Sequence, residues 1–165
     1  MWKDWKSFME HKEKKFFPLF VDLTQKKAVV IGGGKIAARR VKTLLTFVEE
    51  ITVIAPACAE EIKILHEKSE IIYKQRKYEA ADIENADIVL AVTDDYDLNE
   101  EIYKICKEKN ILVNVASNQE KCDFHFPGIF EYEDVVIGFN AHGKNHKKVR
   151  QVREMIQEML SHKGE

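Results

Sequence analysis

The stretch AVVIGGGKIAARR, Ala28 to Arg40, sets three glycines between a run rich in β-branched residues and a segment of helical periodicity. Lys27–Ile31 carries Ala-Val-Val-Ile without alternation, the pattern of a strand buried on both faces. Beyond the glycines, Ala37, Val41, Leu44, Leu45 and Val48 recur at the spacing that packs a helix on a sheet. In the spacing Gly32-x-Gly34-x-x-Ala37, Gly32 permits a tight turn, Gly34 lets backbone approach a pyrophosphate, and Ala37 lets the helix lie close to the strand. The helix N-terminus then faces the anion with unpaired N–H groups. Strand, glycine turn and helix in this order point to dinucleotide binding.

The alternation continues outward. ITVIA (51–55), IIYKQ (71–75), DIVLAV (87–92) and ILVNV (111–115) read as strands. Between them, Cys58–Lys68 and Leu98–Lys109 read as helices. The second of these buries Leu98, Ile102, Ile105 and Cys106, and Asp97 with Glu100 offers a D-x-x-E variant of the capping box. Strands separated by helices imply right-handed βαβ crossovers and a parallel sheet covered on both faces. The expected fold is α/β and Rossmann-like, with strand order 3-2-1-4-5.

The pattern changes after Lys121. Phe124–Tyr132 and Val135–Ala141 read as two strands joined at Glu133-Asp134, followed by a helix with Val149, Val152, Ile156 and Met159 on one face. An isolated hairpin is marginal in water, and this one carries Phe124, Phe126 and Phe130 beside Val135, Ile137 and Phe139. It is expected to find its missing strands in a second subunit. Three regions follow: an N-terminal helical extension (1–15), a Rossmann domain (16–120), and a β-hairpin dimerisation region with a C-terminal helix (121–165).

The chain has 165 residues, with 26 Lys and Arg against 28 Asp and Glu, so its net charge of -2 gives no electrostatic reason for a nucleic-acid partner. Cys58, Cys106 and Cys122 are odd in number and contain no C-x-x-C pair, which argues against a disulfide framework or a structural zinc site and for a reducing compartment. No apolar run approaches the roughly 20 residues that span a bilayer. MWKDWKSFMEHKEKK also lacks the apolar middle of a secretory signal, so a cytoplasmic location without membrane contact is expected. Trp2, Trp5, Phe8 and Met9 form a stripe that would pack on the body or a partner.

Ligands of such sheets bind beyond the carboxyl ends of the strands, at the topological switch point. The second strand ends Ile54-Ala55-Pro56-Ala57, with no carboxylate for the ribose hydroxyls, so main chain would hold them. Arg39 and Arg40 lie inside the first helix and read as solvated, which favours NAD over NADP. Thr93, Asp94, Asp95 and Asn114–Asn118 fall where the nicotinamide end is expected. Asp95 orients a proton-transfer water or caps a helix, and Ser117 and Asn118 contact substrate or serve an ordinary turn. His125 is a general base, a metal ligand or a satisfied interface residue. Cys122 reads as packing. His142 and His146 are four apart, but Gly143 and a helix start between them break a metal geometry, and no metal residue is assigned.

FFPLFVDLTQKKAVVIGGGKIAARR (16–40), VIAP (53–56), AVTDDYDLN (91–99) and VNVASNQEKCDFHFPGIF (113–130) together resemble the precorrin-2 dehydrogenase and sirohydrochlorin ferrochelatase part of siroheme synthases. The likeness runs from about Phe16 to Val152. It implies NAD-dependent oxidation of the tetrapyrrole precorrin-2 to sirohydrochlorin, with iron insertion in some members, and a homodimer built through the hairpin. It also implies cofactor contacts at Lys35, Ile36, Pro56 and Ala57. Many members carry an Asp, proposed as proton acceptor, where this chain has Ser117. The family's Ser-Thr-x-Gly-x-Ser-Pro segment reads Asn140 to His146 here, and fuller members add a helical domain after the last helix. Dehydrogenation with weak or absent ferrochelatase activity is therefore expected. Arg40, Lys121, Lys144, Lys147, Lys148 and Arg150 are the cations available to the substrate's carboxylates. The contrasting reading is a non-catalytic, dinucleotide-responsive regulatory protein on the same fold.

Overall fold

The computed structural model describes residues 17–141 and 145–161. The helix expected over residues 1–15, and His142 with Lys144, lie outside the described residues. The chain divides into two compact units, Val21–Phe126 and a second made of Met1–Phe20 with Pro127–Glu165.

In the first unit, β1 (Lys27–Ile31), β2 (Glu50–Ile54), β3 (Ile72–Lys74), β4 (Ile88–Ala91) and β5 (Leu112–Val115) form one sheet. All pairings are parallel and the order is β3-β2-β1-β4-β5. The helices are α1 (Lys35–Leu44), α2 (Glu60–Glu67) and α3 (Tyr96–Lys109). The two-residue period of the strands sorts β1 between two cores. Ala28 and Val30 pack with Val41 and Leu44 of α1 and Ile62 of α2, whereas Val29 and Ile31 pack with Ile102 and Cys106 of α3. Each fully buried Val or Ile contributes about 1.5–3 kcal/mol. Pairing of Ile31 with both Ile54 and Ala91 ends three strands at one level, so their loops emerge together.

Several boundaries differ from the sequence reading for local reasons. The α2 helix begins at Glu60 rather than Cys58 because Ala59 is extended and donates its N–H to the Gly33 carbonyl at 2.7 Å. The α3 cap is Asp95, whose Oδ1 accepts from the Leu98 N–H at 3.0 Å, so the expected Asp97–Glu100 box does not form. Glu100 pairs instead with Lys121. The α3 helix fully buries Asn99 with Ile102 and Cys106, while Leu98 and Ile105 are only partly covered.

The largest correction concerns Phe124–Phe126, which is not hairpin strand. The Asp123 N–H donates to the Val113 carbonyl at 2.9 Å, and the Phe124 carbonyl accepts from Asn114 Nδ2 at 2.8 Å. Both rings pack on the core beneath α1.

In the second unit, β6 (Gly128–Tyr132) and β7 (Val135–Phe139) pair antiparallel. Glu133 takes a left-handed φ of 53° at their turn. The α4 helix (His146–Ser161) is capped by Asn145, whose Oδ1 accepts from the Lys148 N–H at 2.9 Å. It lies close on β6: a methyl group on Gly128 would stand 3.0 Å from Val149 Cγ1.

Candidate dinucleotide site

A cavity of about 850 Å³ opens at the carboxyl ends of β1, β2 and β4, within the first unit. That volume suits a cofactor-sized ligand. Three consecutive glycines form its floor, each for a different reason. Gly32 has φ of +116°, and a Cβ there would stand 2.6 Å from the Val92 carbonyl oxygen. Gly33 allows contact with the α2 approach, since its Cβ would meet the Ala57 carbonyl oxygen at 2.3 Å. Around Gly34 nothing lies within 4 Å of the Cβ position. Two glycines thus serve the protein's own packing, and the third leaves open space at the start of α1. Gly33 was missed by the sequence reading, although the unbroken Gly-Gly-Gly run was a signal for it.

Gly34 is the α1 N-cap and supplies no side-chain cap, and the first helical bond is from the Ala38 N–H to the Gly34 carbonyl at 3.0 Å. The first-turn N–H groups therefore lack helical acceptors and suit an anion. Lys35 and Ile36 are exposed on this turn, and Ala37 is fully buried against the sheet. Pro56 and Ala57 border the cavity after β2 and bring no carboxylate. The Tyr73 hydroxyl donates to the Ala55 carbonyl at 3.0 Å, and burial pushes its pKa to about 12.

Lys77 and Tyr78, which the sequence reading did not single out, also line the cavity. Asp82 fastens their loop by accepting from Arg76 at 2.5 and 2.7 Å and from the Glu79 N–H at 3.0 Å. These bonds, led by that from Arg76, lower the Asp82 pKa to about 2. Tyr78 is pushed up to about 12 by burial, and its hydroxyl has no partner among the described residues. Their signal lay in position, in the loop beyond the carboxyl end of β3, on the side of the sheet where ligands bind.

Thr93, Asp94 and Asp95 reach the cavity from β4. Asp95, expected to cap or to orient a water, is seen capping α3. Asn118 likewise serves its turn, its Oδ1 accepting from the Glu120 N–H at 3.0 Å. Ser117 Oγ accepts from Asn99 Nδ2 at 3.2 Å. His125 lies half-buried between Phe124 and Phe126, in the segment after β5. Asn114 is buried, and its amide is occupied at both ends, accepting from Arg40 at 2.6 Å and donating to the Phe124 carbonyl at 2.8 Å. Asn114 is not among the residues that line the cavity.

Arg40 also corrects the solvated reading. Its guanidinium lies 5.2 Å from the Phe126 ring centroid, and burial lowers its pKa. Of the other cations, Lys121 pairs with Glu100 and faces the Tyr103 ring, and Arg150 pairs with Glu154 at 2.7 Å. Lys147 and Lys148 are exposed. The described residues contain no group of three or more His, Cys, Asp or Glu able to hold a metal ion. None of their helices is long and apolar enough to cross a membrane.

Residues 19–128 match a family model described as putative NAD(P)-binding. The chain is 42% identical over 144 residues to the probable multifunctional siroheme biosynthesis protein of Ruminiclostridium josui, covering 87% of this chain and 28% of that protein. It is 33% identical over 145 residues to the siroheme synthase of Mannheimia succiniciproducens, covering 88% of this chain and 30% of that one. It thus spans less than a third of these relatives' length. Among solved structures, the precorrin-2 dehydrogenase SirC shares the fold with a TM-score of 0.72 at 24% identity, over 86% of this chain and 69% of that one.

Proposed function

The chain belongs to the putative NAD(P)-binding family, and on that premise we propose that it oxidises precorrin-2 to sirohydrochlorin with NAD, in siroheme biosynthesis. The observation that carries the reading is the open space at Gly34, beside the α1 N-terminus and under a cavity of dinucleotide size. The siroheme-biosynthesis names of the relatives supply the substrate class.

The residues divide the work. Gly34 and the first-turn N–H groups of α1 hold the diphosphate. Pro56, Ala57, Lys77 and Tyr78 enclose the adenosine half, with main chain in place of the missing carboxylate. Residues after β4 and β5 flank the second nucleotide, where Thr93 borders the cavity. NAD, when bound, accepts the hydride. The companion proton leaves through water beside Asp94 and Asp95, which are exposed at that end. Ser117 offers a hydroxyl rather than a carboxylate, so orientation supplies most of the rate. Chelation needs somewhere for the pyrrole protons to go, and without that acid it is weak or absent.

Incubation of the purified protein with enzymatically made precorrin-2 and NAD tests this, following sirohydrochlorin absorbance beside NADH. Stoichiometric formation of both is expected, with slow cobalt insertion in a parallel assay. Tight NAD binding without turnover would favour the regulatory reading instead.

A further inference from the structure

Asn99 stands where the α3 stripe calls for an apolar residue. It shares the buried face with Ile102 and Cys106, one and two turns on, and is only 1% exposed. Its amide uses its full bonding capacity. Oδ1 accepts from Thr93 Oγ1 at 2.8 Å and from the Thr93 N–H at 3.4 Å. Nδ2 donates to the Thr93 carbonyl at 3.0 Å and to Ser117 Oγ at 3.2 Å. Thr93 is the second residue beyond β4 and Ser117 the second beyond β5. One buried side chain therefore ties the exits of two neighbouring strands to each other.

Its place in the sheet gives that tie a use. In a doubly wound sheet the dinucleotide crosses the switch point, one nucleotide over β1–β3 and the other over β4 and β5. The diphosphate and adenosine positions are built from α1, β2 and the loop after β3, and the bonds of the Asn99 amide go to none of these. We infer that Asn99 is a positioning residue for the nicotinamide half, holding the β4 and β5 exits in the one arrangement that seats the ring for hydride transfer. An apolar side chain would fill the same core stripe without tying the two exits together. The inference rests on the dinucleotide reading and needs precorrin-2 only for its kinetic arm.

Saturation-transfer NMR on NAD separates the two halves of the cofactor by their ring protons. Wild-type protein should saturate both adenine and nicotinamide protons. Asn99→Leu should keep the adenine signal and lose the nicotinamide signal, with calorimetric affinity changing by less than about threefold because the anchoring contacts remain. Asn99→Asp keeps the acceptor for the Thr93 hydroxyl and N–H but loses the donors to the Thr93 carbonyl and to Ser117, and it should lose part of the nicotinamide signal, as should Ser117→Ala. In turnover, displacement of the ring should lower kcat by about a hundredfold in Asn99→Leu with little change in KM for NAD. Should that variant fail to fold, Asn99→Asp and Ser117→Ala decide the matter. Unchanged nicotinamide signals in the folded variants, or equal loss at both rings, would overturn the inference. Absence of NAD binding by the wild type would overturn the dinucleotide reading beneath it, and wild-type binding without turnover would refute the substrate while leaving the NMR result to judge Asn99.

Discussion

Gly33 and Gly34 are chemically identical neighbours that the fold treats in opposite ways. A methyl group on Gly33 would collide with the Ala57 backbone, whereas one on Gly34 would meet nothing in the protein. Gly33→Ala should therefore destabilise the protein by about 1–3 kcal/mol, read as a lower denaturant midpoint with an unchanged slope. Gly34→Val should leave the circular dichroism spectrum and midpoint close to wild type yet abolish NAD binding in calorimetry, because the branched side chain enters the diphosphate path. Undiminished affinity in that variant would remove the anion-site argument. The glycine spacing made Gly32, Gly34 and Ala37 legible from sequence. The function of Arg40 was not, because its partner Asn114 lies 74 residues away, and only the folded sheet brings them together. A similar distance effect hid Asn99, whose bond to Ser117 spans 18 residues.

The loop after β3 shows what an element can owe to one carboxylate. Asp82 is nearly buried and bonds Arg76, Lys74 and the Glu79 backbone, and its folded pKa of about 2 lies below the ordinary value of 3.8. A lowered folded pKa means that stability is present above the unfolded value and is lost as pH falls through the folded one. With solvent screening at the half-exposed Lys74 and Arg76, the contribution is roughly 1–2 kcal/mol. Asp82→Asn should therefore cost that amount between about pH 5 and 7, and the difference from wild type should shrink between about pH 4 and 2. Urea titrations at each pH measure it, and a difference independent of pH would reject the linkage. Element order was readable because apolar strands and amphipathic helices differ in period. Their ends were less so: Asp95 and Asp97 are both acceptable caps by type, and the choice fell to the residue whose backbone is extended. Phe124–Phe126 alternates like a strand, yet the Phe124 carbonyl bonds Asn114 of β5 and the hairpin strand begins only at Gly128.

The two compact units differ in what they bury. Val21–Phe126 holds both cores, whereas β6, β7 and α4 contain no buried residue among those described. Val135, Val136, Met155 and Met159 are among the exposed apolar side chains of that second unit. Two strands and one helix bury too little for independent stability, so this surface calls for a cover. A second copy of the chain is the occupant we expect, since a two-fold axis sets one apolar hairpin face against its twin and closes the contact. Sedimentation at micromolar concentration should then give a dimer. A glutamate at Phe130 or Ile137 would place a charge in the joint, and Phe130→Glu or Ile137→Glu should yield monomers or insoluble protein. Monomers that stay soluble should still bind NAD, because every residue lining the cavity lies between Ile31 and Glu101. A wild-type monomer under the same conditions would remove the second copy as the cover, and loss of NAD affinity in a soluble, folded monomer would mean that the cavity depends on the joint.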